Sequence, residues 1–392
     1  MAIAPTEVRA LAQQGAEALR RGDAKEARDV FQRLTEAGPG DAIAWLGLAF
    51  ACRAQRDSEP MLAALDRVTA LDPGNWRALL LKADHFAEAG DARAASSFYT
   101  AAIRRAPQPA QMPPELQGEL NRARAMRERY INEYETYLHR HLARQGLGEG
   151  QSSRFVQSLD LLLGKKQLYV QQPRHYYFPE LPQIQFYGRE QFPWLDGLEA
   201  ATADIRSELI EVLKDEGAFT PYIENDPNRP QQDHHGMLNN PSWSAFYLVK
   251  NGNVVAENAA RCPQTLAAVE KAPLAQTKDR TPSILFSLLR PGARIPPHNG
   301  FINVRLICHL PLIVPGNCIF RVGNDVRPWV EGKAWVFDDT VEHEAWNGSD
   351  KTRVILLFDV WRPELSEEER RLVAGMFEAI DSYKGKQAEW DF

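Results

Sequence analysis

Apolar and small residues recur through the first hundred residues at two nested periods. Within each stretch they return every three to four positions, the spacing of one helix face. The stretches themselves return every 34 residues: Ala27, Met61 and Ala95; Phe31, Leu65 and Tyr99; Leu34, Val68 and Ala102. Pro39, Pro73 and Pro107 keep that period, as do the turn pairs Gly22-Asp23, Arg56-Asp57 and Gly90-Asp91. The prolines from Pro107 to Pro114 then break the pattern and read as a bend. Leu116, Leu120, Ala123, Tyr130, Tyr134 and Leu138 return at helical spacing after it, and the glycines of 146–150 mark a stop. A short helix is expected around 155–163.

From about Tyr169 the pattern changes to aromatics, prolines and short alternating runs. A helix is predicted at 198–213. Strands of period two are predicted at 243–250, 283–289, 303–313, 319–322, 334–338 and 353–361. A terminal helix, opened by Pro363 and rich in Glu at its start, is predicted at 364–382. Short strands in series, separated by Gly, Pro and Asn, suggest an antiparallel sandwich or jelly roll. The expected class is therefore α+β and multidomain, in three parts. These are a helical repeat domain (1–110), a helical linker (111–168) and a β domain with a C-terminal helix (169–392).

A 34-residue period with a mid-repeat turn and a terminal Pro is the tetratricopeptide pattern, two helices per repeat stacked into an α-solenoid. Three repeats meet the minimum for a stack. They serve either as a concave surface that docks a peptide or protein, or as a structural cap.

Composition narrows the function classes. The chain has 392 residues, enough for two or three cores, and its 25% charged and 44% hydrophobic fractions suit a soluble protein. A net charge of −6 argues against nucleic acid as a partner. The four cysteines show no CxxC pairing, which suits a reducing compartment. No signal peptide and no apolar run of about 18 residues is read, so the expectation is a cytoplasmic protein without a membrane partner.

Two short segments carry the chemistry. Pro297-His298-Asn299-Gly300 and Phe337-Asp338-Asp339-Thr340-Val341-Glu342-His343 each read as a strand edge presenting an imidazole, and Arg353 follows on the next strand. That is the layout of a mononuclear iron oxygenase using a keto-acid cosubstrate. The usual 2-His-1-carboxylate set puts Asp or Glu two residues after the first His, where this chain has Gly300. On the residues alone, either two histidines hold the metal or this is not a metal site.

Asn347-Gly348-Ser349 is a hairpin signal. A turn centred on Gly348 sets His343 and Arg353 opposite each other on an antiparallel pair, with Cβ atoms about 5 Å apart. A dicarboxylate would suit such a pair. Alternation along 303–313 puts Asn303, Arg305, Ile307 and His309 on one face, and Val304, Leu306, Cys308 and Leu310 on the other. Arg305 and His309 on a core face are costly to bury without partners, which predicts a polar pocket. The alternative is a hydrogen-bonded core His beside an Arg reaching solvent. One of Asp338 and Asp339 is expected to orient a ligand and the other to form a turn. Leu285, Leu306, Val336, Phe337 and Leu356 are expected as an apolar shell. His139 and His141 read as solvated helix-end residues, and Asp233-His234-His235 as a structural or solvated loop.

Several motifs taken together carry a family resemblance: Ser287-Leu288-Leu289-Arg290-Pro291-Gly292, Pro297-His298, Arg305-Leu306, His309-Leu310, Phe337-Asp338-Asp339, Glu342-His343-Glu344, Arg353 and the run from Asp359 to Leu365. With Trp243-Ser244 and Glu257-Asn258 they resemble the aspartyl/asparaginyl β-hydroxylases over about 192–365. The resemblance implies a double-stranded β-helix and an Fe(II)/2-oxoglutarate-dependent dioxygenase using O2. It implies a two-His iron site, His298 and His343, with Gly300 where a third ligand would stand. It further implies Ser287 and Arg353 on the distal carboxylate of 2-oxoglutarate, His309 near its chelating end and Asp339 behind the metal. Ile307 departs from the animal enzymes, which carry a second Arg there for the substrate carboxylate; Arg305 remains as the substrate-binding candidate. The leading expectation is hydroxylation of an Asp- or Asn-type side chain in a peptide or protein, docked partly by the repeats. The alternatives are a free amino acid, a peptide natural product or a lipid acyl chain as substrate, or a non-catalytic scaffold.

Overall fold

The residues that recur at 34-residue spacing all face inward: Ala27, Phe31, Leu34, Met61, Leu65, Val68, Ala95, Tyr99 and Ala102 are buried. They lie on the second helix of each pair in a series α1 (Pro5–Arg20), α2 (Ala24–Ala37), α3 (Ala42–Ala54), α4 (Ser58–Leu71), α5 (Trp76–Glu88) and α6 (Ala92–Arg105). The structure, a computed structural model, describes residues 5–37, 41–108, 111–148, 153–225 and 236–383. It divides into two compact units, 1–159 and 160–392.

In the first unit α1 packs on α2, α3 on α4 and α5 on α6. The residue opening each inter-helix turn, Gly22, Arg56 and Gly90, has a left-handed φ of 81°, 59° and 79°. Glycine reaches that region without strain and arginine does not. The Phe31 ring fills the space that Gly15 and Gly47 leave open, since a Cβ on either would collide with it. Asp23 and Asp91 each accept a backbone N–H three residues on, at 2.9 Å, which caps the second helix of the pair.

Helix α7 (Pro114–Arg144) packs on the third repeat, where Ala123, Met126 and Tyr130 join Leu80, Tyr99 and Ala102. Buried Asp84 holds this junction. It accepts the Tyr99 hydroxyl at 2.7 Å, a fork from Arg122 at 2.7 and 2.8 Å, and Arg53 at 3.0 Å. His139 and His141 lie on the exposed face of α7. The boundary between the units falls beyond it, after Leu159 in α8 (Ser153–Leu162), inside the stretch expected to be a linker.

The second unit begins with α9 (Leu195–Ala200) and α10 (Thr202–Val212), two helices meeting at Ala201 where one was expected. Strands β1 (Thr220–Pro221), β2 (Trp243–Lys250) and β3 (Asn253–Val254) precede α11 (Ala256–Arg261) and α12 (Pro263–Val269). Then follow β4 (Ile284–Leu289), β5 (Arg294–His298), β6 (Arg305–Ile313), β7 (Cys318–Val322), β8 (Asp325–Pro328), β9 (Trp335–Phe337), β10 (His343–Asn347) and β11 (Arg353–Trp361). The terminal helix α13 (Glu367–Ser382) opens at a Ser366/Glu369 capping box rather than at Pro363.

Among the described residues the strands form two antiparallel sheets. The larger has the order β1-β2-β4-β11-β6-β9 with β3 beside β2, and the smaller β5-β10-β7-β8. Trp243, Leu289, Ile307 and Ile355 of the larger sheet share one apolar cluster with Ile295, Phe320, Val322 and Ala345 of the smaller. The functional side chains lie in this layer. The other face of the larger sheet packs Leu306, Cys308, Leu310, Val336, Leu356 and Phe358 against α9, α10 and α12. The alternation expected along β6 therefore holds, but the expected apolar shell is only partly right. Leu306, Val336 and Leu356 point to the helices, while Phe337 faces the inner layer.

The hairpin expected at Gly348 is absent. β10 pairs with β5 and β7, whereas β11 pairs with β4 and β6, so the chain crosses from one sheet to the other at 348–352. His343 and Arg353 are not cross-strand neighbours. Asn347 stabilises the crossing: its amide donates to the carbonyls of Leu289 (2.9 Å), Arg290 (3.1 Å) and Lys351 (2.8 Å), and its oxygen accepts from Ser349.

Candidate active site

The two imidazoles meet because β5 and β10 pair in a register that sets His298 opposite His343. Their ring centroids are 4.1 Å apart. Direct bonds continue the register beyond the strands: the Asn299 amide donates to the Thr340 carbonyl at 2.9 Å, and the Gly300 N–H to the Asp339 carbonyl at 2.7 Å. Each Nδ1 lies against a backbone carbonyl two residues back, Pro296 at 2.8 Å for His298 and Val341 at 3.1 Å for His343. A carbonyl only accepts, so Nδ1 carries the proton and Nε2 the lone pair, the tautomer a metal ligand needs. Burial pushes the His298 pKa down and, together with the charge of His298, holds that of His343 well below the usual range. Both rings are therefore neutral donors.

No group of three or more His, Cys, Asp or Glu able to hold a metal occurs among the described residues. Gly300, which stands where the usual third ligand would, leaves no room for a side chain. A Cβ there would collide with the Asp339 carboxylate, which fills the space instead. Asp339 is buried and pairs with Arg305 Nη1 at 3.2 Å, while its Oδ1 has no hydrogen-bond partner. Burial, opposed by Arg305, pushes its carboxyl up to about 7. Arg305 also pairs with Asp359 at 3.0 Å, so carboxylates of this chain already answer its charge. Asp338 does different work. It accepts Arg362 at 2.8 Å, Gln171 at 2.7 Å and both the N–H and hydroxyl of Thr340. Asp338 thus holds the turn at Thr340, while the Asp339 carboxylate lies beside Gly300 and Arg305.

Arg353, Ser287 and His309 form the second group. Arg353 lies opposite Leu289 on β4, and Ser287 lies opposite its near neighbour Ile355. Arg353 is buried, yet its Nη2 has no hydrogen-bond partner. Burial pushes the guanidinium down to about 10, and no acidic side chain among the described residues relieves it. The guanidinium lies over the Trp329 ring, 5.3 Å from its centroid. His309 packs against Phe337, Phe320 and Trp329 with its Nδ1 also unpartnered, and burial with the Arg353 charge keeps the ring neutral. Ser287 accepts the Trp243 indole N–H at 3.2 Å. Buried donors without partners are rare because each costs about 1–3 kcal/mol. Arg353 is thus a buried cation with one unpartnered donor atom, in the same domain as two neutral imidazoles.

Aromatic rings join the two groups. Trp243 lies 6.2 Å from His298 and stacks on Tyr222 at 4.0 Å, and Phe337 lies 5.6 Å from His343 and 4.7 Å from His309. Tyr222, Trp329 and Gln171 escaped the sequence reading. For Tyr222 and Trp329 the signal in one sequence is the high aromatic content after Tyr169; Gln171 carries none. Asp233-His234-His235 lies outside the described residues.

Residues 199–363 match the aspartyl/asparaginyl beta-hydroxylase family, and residues 13–59 and 62–109 match tetratricopeptide repeats. The chain carries a domain of that hydroxylase family behind tetratricopeptide repeats. The hydroxylase domain is 37% identical over 180 residues to the ornithine lipid ester-linked acyl 2-hydroxylase of Rhizobium tropici, which covers 45% of this chain and 60% of that protein. It is 37% identical over 170 residues to human aspartyl/asparaginyl beta-hydroxylase, covering 43% of this chain and 21% of the relative. Aspartate beta-hydroxylase domain-containing protein 2 of Xenopus tropicalis matches at 30% over 212 residues, 53% of this chain and 55% of that protein. The chain thus spans less than two thirds of these relatives. A solved structure of the Yersinia enterocolitica type III secretion translocator chaperone SycD matches 34% of the chain and 89% of its own at 20% identity, with a TM-score of 0.31. A likeness at that level says nothing about partners. No helix among the described residues is long and apolar enough to cross a membrane.

Proposed function

We propose that the chain is an Fe(II)- and 2-oxoglutarate-dependent hydroxylase whose two sheets form a double-stranded β-helix. The observation that carries this reading is the buried Arg353 guanidinium, unanswered by any carboxylate among the described residues and set in the same layer as two neutral imidazoles. His298 and His343 would hold the iron through Nε2. Arg353, beside Ser287, would pair with the distal carboxylate of 2-oxoglutarate in a forked hydrogen bond. The unpartnered His309 Nδ1 lies beside that site and supplies a further polar contact. When bound, iron, 2-oxoglutarate and O2 together supply an oxidant for an unactivated C–H bond, with release of succinate and carbon dioxide.

The residues of the chain do the rest. The Nδ1 bonds to Pro296 and Val341 fix both ring orientations before anything binds. The unpartnered Asp339 Oδ1 would accept a hydrogen bond from a water or a substrate hydroxyl, and Arg305 pairs with that carboxylate. Trp243, Phe320 and Phe337 exclude bulk water, which strengthens each polar contact inside the layer.

For the substrate, an Asp- or Asn-type side chain in a peptide or protein remains our first reading, with the repeats as its docking surface and the cytoplasm as its location. The second reading, a lipid acyl chain, is favoured by a specific observation. Arg305 is already ion-paired with both Asp339 and Asp359, although its Nη1 has no hydrogen-bond partner, and apolar Ile307 is its next neighbour on the same face, so β6 presents a substrate carboxylate with a cation whose charge is already answered. The similarity to an acyl 2-hydroxylase points the same way.

The test is succinate formation from 2-oxoglutarate with Fe(II), offered an Asp-containing peptide or an ornithine lipid. His343→Ala and Arg353→Ala are each expected to lose at least about 100-fold in kcat/KM. No iron-dependent turnover with either substrate would favour a scaffold instead.

A further inference from the structure

We infer that Gln171 is a positioning residue for the imidazole pair, because its carboxamide bonds at once the segment that follows His298 and the segment that precedes His343. The Nε2 donates to Asp338 Oδ2 at 2.7 Å, and the Oε1 accepts from Asn303 Nδ2 at 3.0 Å. Its neighbours decide the orientation of the amide. Asp338, paired with Arg362, only accepts, and the Asn303 oxygen is taken by the Phe178 N–H at 2.7 Å. The backbone beside Gln171 repeats the bridge. The Gln172 N–H donates to the Thr340 carbonyl at 2.8 Å, and the Arg174 N–H to the Gly300 carbonyl at 3.0 Å.

Residues 171–178 thus form a strap across both imidazole-bearing segments, and the strap lies outside residues 199–363, which match the hydroxylase family. The direct bonds at Asn299 and Gly300 hold the segments together beside the rings. Gln171 holds them from behind, at Asn303 and Asp338, and so sets the angle at which they meet. Its loss does not strip either partner. Asp338 keeps Arg362 and Thr340, and Asn303 keeps the Phe178 N–H and carbonyl. The fold therefore tolerates a substitution that the metal site feels.

This inference rests on the reading of His298 and His343 as a metal pair, and Co(II) titration of the full chain separates the two. Ligand-field absorption reports binding geometry, and thermal unfolding reports the fold. Gln171→Leu keeps the volume without the bonds, and Gln171→Glu keeps the acceptor but turns a carboxylate toward Asp338. Both are expected to weaken Co(II) binding about tenfold or more and to change the ligand-field spectrum, the usual scale for residues that orient metal ligands. Gln183→Ala is the control. It removes only the acceptor of the Gln171 backbone N–H, so it should lower the unfolding temperature and leave affinity and spectrum alone. If either Gln171 variant folds and binds Co(II) as the parent does, with the same spectrum, the inference is overturned. If the parent binds no Co(II), the metal-pair reading fails and takes this inference with it.

Discussion

Gly300 is informative for what surrounds it. A missing side chain two residues after His298 says only that a third ligand is absent; the structure adds that the Asp339 carboxylate fills the vacated space. Restoring a carboxylate by Gly300→Asp should therefore not build a three-ligand site. The new Cβ and the Asp339 carboxylate compete for one volume, and we expect a loss of about 2 kcal/mol or more in stability together with weaker metal binding. Calorimetric unfolding and Co(II) titration check this; a Gly300→Asp protein that binds Co(II) more tightly at unchanged stability would sink the steric account. The identities of His298, His343 and Arg353 were legible because polar residues at strand edges and on core faces stand out. Which carboxylates neutralise Arg305, and that none among the described residues neutralises Arg353, was not legible, since partners 34 to 54 residues away in the chain are set by register. A second prediction follows at this scale. At saturating concentration 2-oxoglutarate should raise the unfolding temperature of the parent, by up to about 2.7 kcal/mol of stabilisation at 100 times its Kd, and leave Arg353→Ala unmoved.

At the scale of elements, strands β2 and β11 were legible to the residue, because buried strands of eight or nine residues bounded by turn residues allow few alternatives. Their connectivity was not. Asn347-Gly348-Ser349 carries the local signal of a hairpin, but β10 has partners on both edges in the smaller sheet, and Asn347 secures the crossing to β11. Asn347→Ala removes donated bonds to three carbonyls, that of Leu289 buried, and should cost about 2 kcal/mol or more, read by chemical denaturation. The repeats behave as their period says, down to the turn residue. Arg56 holds at φ 59° the conformation that Gly22 and Gly90 hold at 81° and 79°. Arg56→Gly should stabilise the repeat unit by about 1 kcal/mol; an unchanged or lower unfolding temperature would count against strain at this turn.

For the whole molecule, the repeat signal ended at about residue 110, but the unit does not. α7 shares its core with the third repeat through Ala123 and through the Arg122–Asp84 fork, so a cut at 110 would strip that core. The clean division lies after Leu159. If the repeats dock substrate, removing residues 1–159 should lower kcat/KM for a peptide while substrate-independent succinate formation persists; equal peptide turnover would remove docking from the repeats' role.

Periodicity by itself determined the two classes of architecture, the helix pairs of the repeat and the buried face of each long strand. These follow from spacing along the chain, which a sequence states directly. It also marked the chemistry-bearing residues, because polar groups on apolar faces are costly and few. Only the tertiary structure decided which of them meet. Sheet exchange at Asn347, the register that sets His298 against His343, and the strap at Gln171 all depend on pairings between distant segments. Such pairings are chosen by the packing of two sheets against each other, which no local pattern records.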